Sequence, residues 1–261
     1  MTTPTHITDY LAKTAQRFKN KPAFICKDRT LSWTELDHEA DRMARAIIAA
    51  VPMTEQQVIG VLLPNSWQFV VTYLGILRAG HMVLPLDPSF KKLETEIITE
   101  QVKPILTVTN RAFLAELPKT FQTLLFEQDV PDAQADLSSA LRLPADRHVA
   151  TLLFTSGTTG KPKVTAYTHA NHMWNIDTVA DLWQWTSDDS ILLSLPLSHW
   201  HGLVMGVAGA IHQGNTVYLH ERFDAAATVE ALKSGDVTLF MHVPIAYFKL
   251  VEFAGYQKID I

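Results

Sequence analysis

Short apolar runs alternate with segments of helical length along most of the chain. Each run is only a few residues long and rich in valine, isoleucine or leucine, as expected for strands buried on both faces. Alternation of such strands with helices is typical of parallel sheets covered by helices, so the pattern predicts an α/β fold. The predicted strands are residues 23–26, 58–63, 82–86, 105–109, 151–154, 191–195, 216–219 and 237–243.

Two helices carry additional local signals. The four residues beginning at Ser32 and the four beginning at Thr34 both match a capping box, which predicts a helix start at this point. Asn65 or Ser66 is suited to cap a second helix, which Gly80 would end. This second helix has apolar residues on several sides, so we expect it to be buried.

A polar segment divides the chain. Residues 127–146 contain two prolines, several acidic side chains and little periodic apolar content. They predict an exposed connection between a first α/β portion, residues 1–126, and a second one, residues 147–261.

The stretch of residues 155–163 is the strongest candidate for chemistry, because it combines hydroxyls, glycines and lysines directly after an apolar run. Glycine allows backbone N–H groups to approach an anion closely, while hydroxyl and ammonium groups donate hydrogen bonds to it. The composition therefore predicts a loop that binds the phosphates of a nucleotide. Its residues are Thr155, Ser156, Gly157, Thr158, Thr159, Gly160, Lys161, Pro162 and Lys163.

Two common nucleotide-binding loops do not fit this stretch. A Walker A loop has four residues between its first glycine and Gly-Lys, followed by Ser or Thr; here the gap is two residues and Pro162 follows Lys161. No Gly-x-Gly-x-x-Gly pattern follows a predicted strand, so a dinucleotide fingerprint is missing. A Ser/Thr-rich turn that binds nothing is the structural alternative.

Residues 153–169, LFTSGTTGKPKVTAYTH, resemble the core motif of the AMP-forming adenylating enzymes. This family includes acyl-CoA synthetases, luciferases and peptide-synthetase adenylation domains. The resemblance implies the N-terminal lobe of the adenylating-enzyme fold, with the loop closing over the β- and γ-phosphates of ATP. Blocks at residues 33–36 and 77–88 also look like family blocks, and the likeness extends over about residues 30–251.

One position departs from the family pattern. Val164 stands where the family usually has glycine. Because a β-branched residue tolerates positive φ poorly, Val164 predicts an altered exit from the loop.

A second candidate segment contains His199, His201 and Gly202. It follows a predicted strand, which puts both histidines at a carboxyl end, where open α/β sheets bind ligands. His-x-His alone is a weak metal signal, so no metal site is predicted. The segment resembles the Pro-Leu-aromatic-His-x-x-Gly pattern of acyl-CoA synthetases, which implies a nucleotide and acyl pocket. Its His-x-His-Gly-Leu form is similar to malonyl-CoA synthetases; a short- or medium-chain acyl-CoA ligase is the other subfamily considered.

Two further positions are acyl-pocket candidates. Val243 and Pro244 resemble the family's Val-Pro-Thr segment, with Ile245 in place of threonine. Pro244 is explained equally well by helix initiation. Arg222 follows a predicted strand and is a candidate cation for a carboxylate-bearing substrate, the alternative being a solvated surface arginine.

The resemblance implies an ATP-dependent, AMP-forming carboxylate–CoA ligase that uses ATP, Mg²⁺, CoA and a small carboxylic acid. The family's adenine motif, ribose aspartate and C-terminal domain with its catalytic lysine are not found in these 261 residues. We therefore expect an N-terminal portion that is inactive or partly active by itself. A non-catalytic nucleotide-binding or scaffold module is the main alternative, and an unrelated phosphotransferase is a third hypothesis.

Composition restricts the partners, disulfides and cellular locations that can be expected. The net charge is −5 and no basic run stands out, so nucleic acid is not an expected partner. The lone cysteine, Cys26, excludes an intramolecular disulfide. No apolar run approaches the ~20 residues of a membrane span, and the first residues lack a signal-peptide core, which predicts a cytoplasmic protein. Self-association is expected if a truncated sheet exposes apolar surface or an unpaired edge.

Overall fold

The computed structural model describes residues 5–51, 54–119, 121–130, 135–155 and 163–257. The strands within these residues are β1 (Pro22–Ile25), β2 (Thr30–Ser32), β3 (Val58–Leu62), β4 (Met82–Pro85), β5 (Leu106–Thr109), β6 (Thr123–Leu125), β7 (Val149–Thr155), β8 (Lys163–Thr168), β9 (Ser190–Leu193), β10 (Thr216–Leu219) and β11 (Leu239–Phe240). The α-helices are α1 (Ile7–Phe18), α2 (Trp33–Ala50), α3 (Trp67–Ala79), α4 (Lys92–Val102), α5 (Phe126–Asp129), α6 (His169–Trp183), α7 (Gly209–Gln213), α8 (Ala225–Lys233) and α9 (Pro244–Gln257). A π-helical segment, His201–Ala208, precedes α7.

The described strands form two mostly parallel sheets. One has the order β11-β9-β10-β1-β2 and the other β6-β5-β3-β4-β7-β8. All neighbours are parallel except β1 with β2 and β7 with β8. Helices cover the sheets, and the predicted α/β class is confirmed.

Each sheet takes strands from both predicted portions of the chain. Strand β1 pairs with β10, and β4 pairs with β7. The division of the chain into two portions at residues 127–146 stays a prediction. Neither portion forms a complete sheet by itself, because each sheet contains strands from both. Within that segment, the described residues 135–146 are exposed or half-buried.

The two helices with capping signals form as expected. Ser32 and Glu35 make a reciprocal capping box at the start of α2. Ser66, rather than Asn65, caps α3, and Gly80 ends α3 in the left-handed region at φ 91°. A Cβ atom at Gly80 would lie 2.1 Å from the carbonyl oxygen of Leu141, so no side chain fits there. Helix α3 is buried on nearly all sides, as the sequence predicts.

The main core lies where helices α2 and α3 pack together and against the sheets. Trp33 and Tyr73 are among its largest fully buried side chains. Within the described part of the chain, no helix has the length and apolar character needed to cross a membrane.

The backbone at Val164 is extended, while the predicted change in the exit from the phosphate loop stays a prediction, because residues 156–162 lie outside the described residues. Val164 lies in β8, opposite Phe154 of β7. The described non-glycine residues with positive φ are Lys19, Lys103 and Gln184, so valine causes no strain at position 164.

Candidate ligand-binding site

A cavity of about 810 Å³ opens at the carboxyl ends of strands from both sheets. Strands β4, β9, β10 and β11 lead into segments that line it, as parallel strands do at a ligand-binding edge. Five of the candidate residues from the sequence meet here. They are His199, His201, Gly202, Arg222 and Val243. Pro244 is not a lining residue and begins α9, as expected for helix initiation.

Gly202 allows the floor of the cavity to form. It is the second residue of the π-helical segment, which starts immediately after the turn that follows β9. A Cβ atom at Gly202 would lie 2.3 Å from the carbonyl oxygen of Pro196, well inside van der Waals contact. Glycine is therefore required by the close packing of helix and turn. Its neighbour His201 lines the cavity.

Asn65 joins the ends of three strands, a role that the sequence analysis missed. Its Nδ2 donates to the carbonyl oxygens of Leu195 (2.8 Å) and His220 (3.3 Å), and its Oδ1 accepts from the N–H of Leu197 (2.9 Å). These contacts tie the segment after β3 in one sheet to the segments after β9 and β10 in the other. The signal available in the sequence was a polar residue directly after the apolar run of β3. Its position just before α3 favoured interpretation as a helix cap instead.

Replacing Asn65 with alanine is expected to destabilise the fold by about 1–3 kcal/mol, because two carbonyls and one N–H lose their partner. Urea unfolding measures the change. Gln16→Ala is the matched control, since Gln16 is an exposed amide on α1. Equal stabilities for the two variants would show that Asn65 does not join the sheets.

Asp87 orients the segment that carries His199. Its carboxylate accepts hydrogen bonds from the hydroxyls of Ser198 (2.8 Å) and Ser89 (2.6 Å), and lies 3.8 Å from His199 Nε2. Burial raises the pKa of Asp87, but the hydrogen bonds from Ser89 and Ser198 and the nearby His199 outweigh burial and leave the pKa below its ordinary value. Asp87 is therefore a carboxylate at neutral pH. The His199 side chain remains 60% exposed and faces the cavity.

His201 and His242 give the cavity two neutral rings. Burial lowers the pKa of both histidines, and His201 lowers that of His242 further. The His242 ring stacks on Phe240, and its Nδ1 accepts from the N–H of Val243 (3.0 Å). Among the described lining residues, Arg222 is the one arginine or lysine. An anionic ligand would meet a guanidinium next to imidazole donors.

The predicted phosphate loop connects β7 and β8 in an antiparallel hairpin. Thr155 and Lys163 face each other where the hairpin opens, and Lys163 is exposed. The remaining predicted residues, Ser156, Gly157, Thr158, Thr159, Gly160 and Lys161, lie outside the described residues. Because β7 runs parallel to β4, it leaves the sheet at the edge where Asp87 lies. The loop therefore begins at the same sheet edge as the cavity.

Comparison with known proteins identifies relatives of nearly the whole chain. A family model described as AMP-binding enzyme matches residues 11–260. Indoleacetate–CoA ligase of Aromatoleum aromaticum is 27% identical over 270 residues, covering 98% of this chain and 53% of that protein. The mitochondrial malonate–CoA ligase of Mus musculus is 28% identical over 211 residues, covering 76% and 36%. The chain thus spans about half or less of these relatives.

A solved structure shows the same architecture. O-succinylbenzoate CoA synthetase of Bacillus subtilis, in complex with ATP and magnesium ion, superposes with a TM-score of 0.82 at 25% identity. The match covers 93% of this chain and 65% of that one. The two mostly parallel sheets are therefore those of the N-terminal lobe of adenylating enzymes.

Proposed function

This chain belongs to the AMP-binding enzyme family, and from this premise we propose that it is the N-terminal portion of an ATP-dependent, AMP-forming carboxylate–CoA ligase. The observation that carries the proposal is the position of the cavity. His199, His201 and Arg222 line it at the carboxyl ends of the strands, and the hairpin of the predicted phosphate loop leaves the sheet at the same edge. CoA ligases among the relatives support the same reaction class.

In the proposed reaction, a carboxylate oxygen attacks the α-phosphorus of ATP, and pyrophosphate leaves. The thiolate of CoA then attacks the acyl carbon, and AMP leaves with the electron pair of the broken C–O bond. Negative charge develops on the phosphates during the first step, so convergent cations and N–H donors lower its barrier. The loop from Thr155 to Lys163 would supply these donors to the β- and γ-phosphates.

The other side chains would bind and orient the acid. Arg222 would pair with a carboxylate, His199 and His201 would donate hydrogen bonds, and Val243 would form an apolar wall. The carboxylates of Asp87 and Glu221 in the cavity are oxygen donors of the kind that Mg²⁺ prefers, so the residues present fit this ion. Mg²⁺ bound with ATP would neutralise phosphate charge. A small acid with a second carboxylate, such as malonate, is the proposed substrate class.

Carboxylate-dependent exchange of pyrophosphate into ATP by the full-length protein tests the proposal. We expect exchange with a member of a panel of small mono- and dicarboxylic acids, and AMP as the nucleotide product once CoA is added. Absence of exchange across the panel would favour the non-catalytic module. ADP as the product would instead indicate a phosphotransferase.

Lys161→Ala in the full-length protein is expected to weaken ATP binding about 10- to 100-fold, since one hydrogen bond from a charged donor to a phosphate is lost. Calorimetric titration with ATP measures the affinity. The control is Lys13→Ala, which removes an exposed ammonium on α1. Unchanged ATP affinity in Lys161→Ala would contradict a phosphate-binding role for the loop.

Two further points remain proposals. The lone cysteine, Cys26, has no partner for an intramolecular disulfide, which supports a reducing, cytoplasmic location. Exposed apolar side chains on α9 support self-association of the 261-residue chain, notably Ile245, Phe248 and Val251. Light scattering would detect it.

A further inference from the structure

One buried hydroxyl at the wall of the cavity of about 810 Å³ lacks a hydrogen-bond partner among the described residues. It belongs to Ser194, which directly follows β9 and is only 2% exposed. Buried polar atoms without a partner are rare, because the loss of hydration is not compensated. A ligand in the cavity is one way to satisfy this hydroxyl.

A second polar side chain on the same wall is also available to a ligand. His201 begins the π-helical segment and lines the cavity. Burial alone lowers its pKa, and within the described part of the chain no hydrogen bond or charged neighbour contributes to the shift. The segments that carry Ser194 and His201 are in contact, since a Cβ atom at Gly202 would lie 3.0 Å from the carbonyl oxygen of Leu195.

His242 packs beside Ser194 and closes this end of the cavity. Its ring contacts the backbone of Ser194, and its Nδ1 accepts from the N–H of Val243 at 3.0 Å. The ring centroid lies 5.1 Å from that of Phe223 and 5.7 Å from that of Phe240. The wall beside Ser194 therefore consists of rings that pack against one another, which favours a fixed position for a small group bound there.

The donors at this end of the cavity are neutral. A serine hydroxyl carries no charge, and burial lowers the pKa of His201, so its ring is neutral at pH 7 with one N–H donor. An oxygen acceptor, as in a carbonyl or a carboxylate group, satisfies both donors. A methyl group in the same place would leave them unpaired, and sites built to hydrogen-bond a ligand strongly reject analogues that lack the polar group.

We propose that Ser194 and His201 are specificity-determining residues, which bind an oxygen acceptor at the end of the acid away from its reacting carboxylate. The Ser194 hydroxyl and one N–H of His201 donate to this oxygen. Acids with a keto group or a second carboxylate are then substrates, and alkyl acids of the same size are rejected. The inference rests on the proposed ligase function and adds what the cavity selects. The sequence analysis did not identify Ser194, which lies within the predicted strand 191–195.

Three acids of the same size and branching test the proposal, in carboxylate-dependent exchange of pyrophosphate into ATP by the full-length protein. At the distal carbon, levulinate carries a keto oxygen, succinate a second carboxylate and isocaproate only methyl groups. We expect kcat/KM for isocaproate to be at least about 100-fold below that of the better oxygen-bearing acid. A preference for succinate alone assigns the distal group to a carboxylate, and similar values for levulinate and succinate assign it to a carbonyl oxygen. If another acid is the substrate, the three are compared as competitive inhibitors.

Ser194→Ala in the full-length protein should reduce this preference about 10-fold, mainly by slowing the oxygen-bearing acids, since one hydrogen bond is lost. The Tm should not fall, because no hydrogen bond of the Ser194 hydroxyl to a described residue is removed. Ser139→Ala is the matched control, since Ser139 is an exposed serine outside the cavity wall.

Two results would overturn this inference and leave the ligase function standing. They are equal kcat/KM for the three acids in the unaltered protein, and the same preference in Ser194→Ala as in the unaltered protein. Exchange with no acid at all would instead overturn the ligase function, and this inference with it. If Ser194→Ala fails to fold, the comparison of the three acids in the unaltered protein decides.

Discussion

Acidification from pH 7 to pH 5 is expected to lower the free energy of unfolding by about 2 kcal/mol for each of two buried histidines, His81 and His172. Burial lowers the pKa of His172 to about 3; burial, with a smaller effect of His148, lowers that of His81 to about 4. In the unfolded chain, both histidines bind a proton near pH 6.5. The unfolded state therefore binds more protons at pH 5, and acid favours unfolding.

The pH window follows from these values. Above pH 6.5 both states hold neutral histidines and their contribution does not change with pH. Stability then falls as the pH drops from 6.5 toward the folded-state values of about 4 and 3. His6, His148 and His169 shift in the same direction and add to the loss.

Urea unfolding at pH 7, 6 and 5 measures this effect. His172→Gln removes the titrating group and should reduce the loss between pH 7 and pH 5 by about 2 kcal/mol. His38→Gln, an exposed change, should leave the pH dependence as it is. An unaltered slope in His172→Gln would mean that the pKa of His172 is the same in the folded and the unfolded protein.

Replacing Gly202 with alanine is expected to cost about 1–3 kcal/mol of stability through overpacking, and to weaken ligand binding in the cavity. The added Cβ would lie 2.3 Å from the Pro196 carbonyl oxygen and 2.9 Å from its carbon. These are backbone atoms, so they move only if the turn or the helix moves. A shift of the turn or of the π-helical segment would move His199 or His201 away from the cavity.

Gly255→Ala is the control for Gly202→Ala. Gly255 is exposed near the end of α9 with open space around its Cβ position, so alanine should stabilise the helix by about 0.5–1 kcal/mol. Urea unfolding and ATP titration of the full-length protein compare the two. If Gly202→Ala keeps full stability and affinity, the close packing at Pro196 does not shape the site.

Local signals in the sequence were sufficient to predict where individual helices begin and end. The capping box at Ser32 and Glu35 and the left-handed glycine at Gly80 are interactions between residues close in the chain, and the structure contains both. Strand β11 shows the limit: the apolar run at residues 237–243 forms only the pair Leu239–Phe240. Strand length depends on the neighbour β9, which the run itself does not specify.

The sequence by itself determined the α/β class, the motif at residues 153–169 and, through it, the family. These depend on periodicity and on residues within one short segment. Only the tertiary structure decided that β1 pairs with β10, that Asn65 joins both sheets, and that His6 meets His148 and His169. Such contacts join residues that are far apart along the chain. The physical reason is that the packing of both sheets with their helices brings these residues together, and no local sequence pattern specifies that packing.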